Sequence, residues 1–249
     1  MSPRILLLGG SGRLGRELAR VLDCAAPSRS TIDLQRPETV ASSLAQADYD
    51  VVIHAAALVG VRPCEDDREL AFRVNAEGTF HVARACVSAG ARLVYVSTDA
   101  VFDGRRGRYR EEDLPNPLNT YSLTKLLGEA HARMVPEHLI VRTSFVPSEG
   151  YPYPRAFVDQ WTSRLTAPVI AADIALAVRL GLEGVIHIGA ERRRQIDVAR
   201  EVSPDVEEMT RAETGLPLPE DMSLDCSRWR AIKAEHAQGH GAPGANGHE

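Results

Sequence analysis

Residues 5–15 read Ile-Leu-Leu-Leu-Gly-Gly-Ser-Gly-Arg-Leu-Gly, an apolar run broken by glycines and followed at once by a helical pattern. The run Ile5–Leu8 predicts a short buried strand, and Leu14, Leu18, Val21 and Leu22 recur at the spacing of one helix face. Gly9, Gly12 and Gly15 satisfy G-x-x-G-x-x-G, and Gly10 opens an overlapping G-x-G-x-x-G. A turn of this kind reverses the chain tightly, lets a pyrophosphate approach bare backbone and seats a helix close to a sheet. Glycine permits all three because it has no Cβ and accepts positive φ. The helix start then presents free N–H groups and a partial positive charge to phosphates. On the first strand-turn-helix unit, which is the context the motif requires, the pattern predicts a dinucleotide site.

The alternation continues. A helix is expected from Pro37 to about Ala47, a strand at Val51–His54, and a long helical stretch from Asp66 to Ala89 that stops at Gly90. Then come a strand at Leu93–Ser97, a loop over residues 103–119 rich in Gly, Pro and Asn, a helix from Thr120 to Val135 and a strand at Leu139–Arg142. The second strand, Cys24–Ser28, has little β-branched character and is placed by its order alone. Strands separated by helices predict an α/β chain, a Rossmann-type doubly wound parallel sheet.

After Thr143 the pattern loosens. Tyr151–Pro154 reads as stiff and extended, and apolar runs at Val169-Ile170 and Val185–Ile188 flank a helix over about Ala172–Leu180. Three units are expected: a dinucleotide-binding domain over residues 1–143, a small substrate-binding lobe packed on it over 144–236, and a disordered tail over 237–249.

Composition excludes several functions. The net charge of -5 over 249 residues argues against a nucleic-acid binder, which shows a basic face. Cys24, Cys64, Cys86 and Cys226 are far apart with no C-x-x-C pair, so neither a zinc site nor a disulfide framework is expected, and no metal is assigned. No stretch approaches the roughly 20 apolar residues that span a bilayer. No secretory leader is visible either, so a cytoplasmic chain with reduced thiols is expected.

The end of the second strand bears on the choice of cofactor. An acid there hydrogen-bonds the 2′-hydroxyl of NAD, while an Arg accommodates the 2′-phosphate of NADP. Ser28-Arg29 stands where the acid would sit, and Asp33 comes only later, so NADP(H) is favoured over NAD(H) unless Arg29 points into solvent. Ala55, Ala56 and Ala57 follow the third strand and leave room for a flat ligand in the crevice.

Tyr121 and Lys125 lie four residues apart on one helical face. A free phenol has a pKa near 10 and is a poor acid or base at neutral pH, and a cation within about 4–6 Å favours its ionised form. Thr98, just beyond the preceding strand, adds a hydroxyl where substrate carbonyls bind, which makes Thr98, Tyr121 and Lys125 the candidate catalytic set.

Five segments together resemble the dTDP-4-dehydrorhamnose reductase family of extended short-chain dehydrogenases: ILLLGGSGRLGREL, DVVIHAAALVGV, VNAEGTFHVARAC, STDAVFDGRRGRYREEDLPNPLNTYSLTKLLGE and VRTSFV, with a weaker likeness in LPEDMSLDCSRWRAI. The resemblance implies that Thr98 polarises a ketone, Tyr121 delivers the proton, and Lys125 lowers the Tyr121 pKa and holds the nicotinamide ribose. It also implies that Gly12, Arg13 and Leu14 meet the pyrophosphate, that Asp33 and Leu34 border the adenine, and that Asp99 and Phe145 face a sugar nucleotide. Two departures stand out. Phe145 replaces the usual Trp, and residues 146–169 form a shorter segment than usual in the region that supplies much of the nucleotide-sugar pocket. The implied activity is NADPH-dependent reduction of a dTDP-4-dehydro-6-deoxysugar by a possible homodimer. Reduction or epimerisation of another substrate is an alternative, as is a dinucleotide-binding regulatory subunit without turnover.

Overall fold

The computed structural model describes residues 3–215 and 218–239. The alternation of the first half becomes β1 (Ile5–Leu8), α1 (Arg13–Val21), β2 (Cys24–Ala25), α2 (Pro37–Gln46) and β3 (Val51–His54). Next come α3 (Val61–Asp66), α4 (Arg68–Ala71), a π-helical turn (Phe72–Glu77), α5 (Gly78–Ala89), β4 (Arg92–Thr98), α6 (Thr120–Ala132) and β5 (His138–Thr143). The single long helix expected over 66–89 is therefore broken. Asp67 leaves helical geometry to cap α4, accepting the Leu70 N–H, and the π turn then widens the coil before α5. β2 is only two residues long, in keeping with its weak β character.

Six parallel strands form the central sheet in the order β2-β1-β3-β4-β5 followed by an edge strand, Gly184–Ile188. The chain runs outward from β1 to β2 and then crosses back to place β3 on the other side of β1. The carboxyl ends of β1 and β3 thus flank the switch point, where open α/β sheets bind ligands. Both faces of the sheet are covered. On one, Leu7, Ile53, Val94 and Val141 pack against Leu14 and Leu18 of α1 and Ile170 and Ile174 of helix α7 (Ala167–Arg179). On the other, Leu6, Val52, Leu93 and Ile140 pack against Val40 and Leu44 of α2 and Val82 and Cys86 of α5.

The sheet does not end at Thr143. The edge strand pairs with β5, Val185 opposite Ile140, and α7 packs beside α1, so two elements of the expected lobe complete the core of the central sheet. Val169 and Ile170, expected before a helix, lie inside α7, because Pro168 takes a first-turn position and the helix starts at Ala167. What remains of the second half is built from two-stranded pieces: Phe145–Val146 with Leu165–Thr166, Arg155–Phe157 with Glu207–Met209, and Trp161–Thr162 with Arg193–Arg194. Helix α8 (Gln195–Val202) packs on them through Ile196 and Ala199. Helix α9 (Ser227–Gly239) is tied to α7 by the buried Trp229, whose Nε1 donates to Asp173 at 2.8 Å. Residues 237–239, expected in the tail, thus continue α9, and residues 240–249 lie outside the described residues. Among the described residues no helix is long and apolar enough to cross a membrane.

Candidate active site

Gly9 has φ 91°, and a Cβ there would meet the Ala56 backbone nitrogen at 2.6 Å. A Cβ on Gly15 would lie 2.0 Å from the Gly9 carbonyl oxygen. The turn is therefore closed against the Ala55–Ala57 segment and against its own helix, a contact only glycine allows. Gly12 caps α1 with no side-chain hydrogen bond, and no acid stands in the first turn, so the helix N-terminus offers its backbone N–H groups to an anion. This cradle fits a dinucleotide pyrophosphate. Arg13 is exposed at its mouth, whereas Leu14 is buried in the core and can contribute only backbone.

The region after β2 differs from expectation. Arg29 is exposed, and its nearest charged neighbour is the acid that sequence spacing had set apart: Asp33 lies 3.8 Å from the Arg29 Nε. Ser28 bonds Ser30 through their hydroxyls at 2.6 Å, and the turn brings Ile32 N–H onto the Ser28 carbonyl. Both a ribose acceptor and a phosphate donor thus stand at this end of the crevice, and the missing acid no longer argues for one cofactor. Leu34 is buried against Gly78 of α5.

Thr98 is the last residue of β4, and its hydroxyl donates to Asp99 Oδ1 at 3.1 Å while accepting the Ala100 N–H. Tyr121 enters α6 just after Asn119, which caps the helix by accepting the Ser122 N–H at 2.9 Å. Thr98 at the end of β4 and Tyr121 in the first turn of α6 stand on elements that pack on one another. Burial pushes the Tyr121 phenol up to about 12, and the Thr98 hydroxyl opposes that rise.

Lys125 has partners within the protein itself. It does lie one turn from Tyr121, but its buried Nζ donates to the Val96 carbonyl at 2.8 Å and sits 4.1 Å from the Tyr95 ring centroid. Burial pulls its ammonium down to about 7, with Glu129 acting the other way. A buried ammonium takes the nearest carbonyl and π face. The cation that acts most on the phenol is instead Arg164, and its effect is to lower the pKa.

Asp99 is buried, with Oδ2 lacking a partner, and burial raises its carboxyl while Arg164, Thr98 and Ser144 counter the rise. Phe145 is half-buried, and its strand Phe145–Val146 pairs it with Leu165. That pairing brings Arg164 to Ser144, whose Oγ accepts the Arg164 Nε–H at 2.9 Å.

Several residues of the site escape sequence reasoning. Asn75, buried in the π turn, accepts the Leu58 N–H at 2.7 Å and donates to the Leu58 carbonyl and to Thr124 Oγ1 at 3.1 Å. It couples the loop after β3 to the helix that carries Tyr121. A poor helix former inside a helical pattern was its one signal. Glu129 and Arg142 form a bidentate pair at 2.9 and 2.8 Å, buried between α6 and β5, with Ser97 donating to the same carboxylate. Ser144 and Arg164 carried no sequence signal, because only the strand pairing brings them together.

A family model described as the RmlD substrate binding domain matches residues 3–174. The chain belongs to this family. The dTDP-4-dehydrorhamnose reductase of Streptomyces griseus is 40% identical over 158 residues, covering 60% of this chain and 52% of that protein. The enzyme of the same name from Salmonella typhimurium is 36% identical over 218 residues, covering 75% and 72%. The crystal structure of dTDP-4-dehydrorhamnose reductase from Bacillus anthracis in complex with NADP superposes with a TM-score of 0.85 at 25% identity, over 93% of each chain. The aligned part spans about half the length of the Streptomyces relative. The sheet order and covered faces agree with a Rossmann-like reductase fold, as expected from the alternation.

Proposed function

We propose that this chain is an NADP(H)-dependent reductase of a keto-sugar nucleotide, with a dTDP-4-dehydro-6-deoxysugar as its substrate. The observation that carries the reading is the glycine turn closed by Gly9 against Ala56 at the carboxyl ends of the strands, with Thr98 at the end of β4 and Tyr121 in the first turn of the helix packed on that strand. Relatives named for this reaction, one of them solved with NADP, support it.

In this reading the N-terminus of α1 holds the pyrophosphate, with Arg13 at its rim. Ser28, Arg29, Asp33 and Leu34 border the adenosine end, and Ala55, Ala56 and Ala57 line the crevice. The bound dihydronicotinamide supplies the hydride. Thr98 donates to the substrate carbonyl and fixes its direction. Tyr121 passes its phenolic proton to the same oxygen, and a phenol held protonated by burial is in the right state to do so. Lys125, one turn along α6 from Tyr121, would hold the nicotinamide ribose. Asp99 and Phe145 line the sugar.

Oxidation of NADPH, followed by absorbance with dTDP-4-dehydrorhamnose as substrate, tests the reading. Tyr121→Phe is expected to lower kcat about 10²–10⁴-fold while NADPH still binds. Near-normal turnover in that variant removes the assignment. No NADPH oxidation with any keto-sugar nucleotide, beside tight NADPH binding, favours a regulatory subunit.

A further inference from the structure

The first turn of α6, which carries Tyr121, is held by a carboxylate from another helix. An α-helix leaves the N–H groups of its first turn without partners of its own. At α6 the cap residue Asn119 serves one of them, its Oδ1 accepting the Ser122 N–H at 2.9 Å. A cap side chain reaches the second or third helical residue. The N–H of Thr120, the first, therefore needs a partner from elsewhere. Thr120 is buried, and its N–H donates to Glu65 Oε1 at 2.7 Å. No acid of α6 itself stands in that turn, so Glu65, 55 residues earlier, supplies the negative charge that a helix N-terminus favours.

Glu65 lies in α3, and α3 is itself fixed to the segment after β3. Gly60, at φ 106°, turns the chain into the helix. Cys64 is buried, with its Sγ donating to the Leu58 carbonyl at 3.5 Å, and Asn75 holds Leu58 through both its N–H and its carbonyl. Leu58 follows directly on Ala55–Ala57, the segment against which Gly9 closes. Asn75 also donates to Thr124 Oγ1, which in turn donates to the Tyr121 carbonyl at 2.9 Å. Tyr121 is thus bracketed. The residue before it is tied to α3 through Glu65, and its own carbonyl is tied to the π turn through Thr124 and Asn75. The other Glu65 oxygen takes the exposed Arg68 at 2.7 Å, which leaves Oε1 to Thr120.

We propose that Glu65 is a positioning residue for Tyr121: by holding the Thr120 N–H it sets where the start of α6, and with it the phenol, stands over the segment after β3. The inference rests on the reductase reading, in which Tyr121 delivers a proton to the substrate oxygen. Proton transfer of this kind needs its heavy atoms about 2.6–3.2 Å apart. A misplacement of about 1 Å can cost about 100-fold in rate. Helix ends fray, and Tyr121 has a single helical residue before it, so the tie acts where fraying would begin. The role asks for reach more than for charge, because an oxygen on α3 must span to the Thr120 nitrogen.

Three measurements on the full chain test this: NADPH oxidation with dTDP-4-dehydrorhamnose, NADPH binding by calorimetry, and amide exchange at Thr120. Glu65→Ala is expected to lower kcat about 10- to 100-fold, to leave the NADPH Kd unchanged and to speed exchange at Thr120. Glu65→Gln keeps an oxygen that accepts the Thr120 N–H, and its kcat should stay within about threefold of wild type, the effect of the lost charge alone. Glu65→Asp keeps the charge but is one methylene shorter, so its kcat should fall as in Glu65→Ala. The Gln and Asp variants carry the test if Glu65→Ala does not fold. A residue that merely stabilised the fold would not separate Gln from Asp, nor kcat from NADPH affinity. An Asp variant as fast as wild type, or a Gln variant as slow as Asp, overturns the inference. Thr120 exchange that speeds in Glu65→Asp but not in Glu65→Gln, in a chain that oxidises no NADPH, leaves the tie standing and removes the reductase reading. Turnover that is indifferent to all three substitutions does the reverse.

Discussion

In β1 and β3 every residue is buried, and β4 and β5 each expose only their first residue in part, whereas Glu207–Met209 has no buried residue and Arg193–Arg194 none either. The first half is a sheet sealed on both faces by helices. The part of the second half outside α7 and the edge strand is a set of short ladders stitched by Arg–carboxylate pairs, among them Arg155–Glu213, Arg194–Asp197 and Arg200–Glu208. Apolar burial gives the first region stability that does not depend on salt, while exposed ion pairs give the second little stability and much conformational choice. The sealed region carries the glycine turn, Thr98 and Tyr121. The loosely stitched region carries Arg164, which reaches Ser144. In the proposed reading the chemistry sits on the sealed sheet, and substrate choice on the part most open to change.

The sharpest way to break this contrast is to attack polarity inside the sealed region. Glu129→Ala leaves the Arg142 guanidinium buried between α6 and β5 without its carboxylate, and a loss of about 3–5 kcal/mol is expected in urea unfolding. A loss below about 1 kcal/mol would mean that the first half tolerates an unpaired charge, and that its core is less sealed than its exposure suggests.

Lys125 sharpens the same point through pH. Its ammonium is held down to about 7 in the folded chain against an ordinary value of 10.5, so between those values the unfolded chain binds more protons. The Lys125 contribution to stability therefore rises as pH increases from about 7 toward 10.5 and is at its least favourable below 7. Tyr121, pushed up to about 12, acts oppositely above pH 10. Wild type should accordingly gain stability relative to Lys125→Met between pH 7 and pH 9 in denaturant titrations. Parallel pH profiles for the two proteins would show that the ammonium is not buried as described.

The smallest expected effect concerns the stitched region. Raising salt from 0.1 to 1 M shortens the screening length from about 10 to about 3 Å. Amide exchange at Arg155–Phe157 and Glu207–Met209 should then accelerate, while exchange in β4 stays the same. Equal responses in both regions would erase the distinction.

Much of the first half was legible in the sequence, since its signals are local. A glycine turn after Ile5–Leu8, alternating strand and helix patterns, and a Tyr and Lys one turn apart each lie within about ten residues of chain. Where two local signals had to be weighed against packing, the outcome shifted. Asp67 breaks a helix that periodicity alone would continue, and the ammonium of Lys125 turns to Val96 and Tyr95 once both are buried with it.

Sequence alone determined the parallel sheet and the glycine turn after its first strand, because periodicity and glycine geometry act over neighbouring residues. Tertiary structure alone decided that Gly184–Ile188 closes the sheet, that Asp33 returns to Arg29, and that Arg164 reaches Ser144. Those contacts join residues whose meeting depends on strand register and turn geometry, and no local pattern encodes a register.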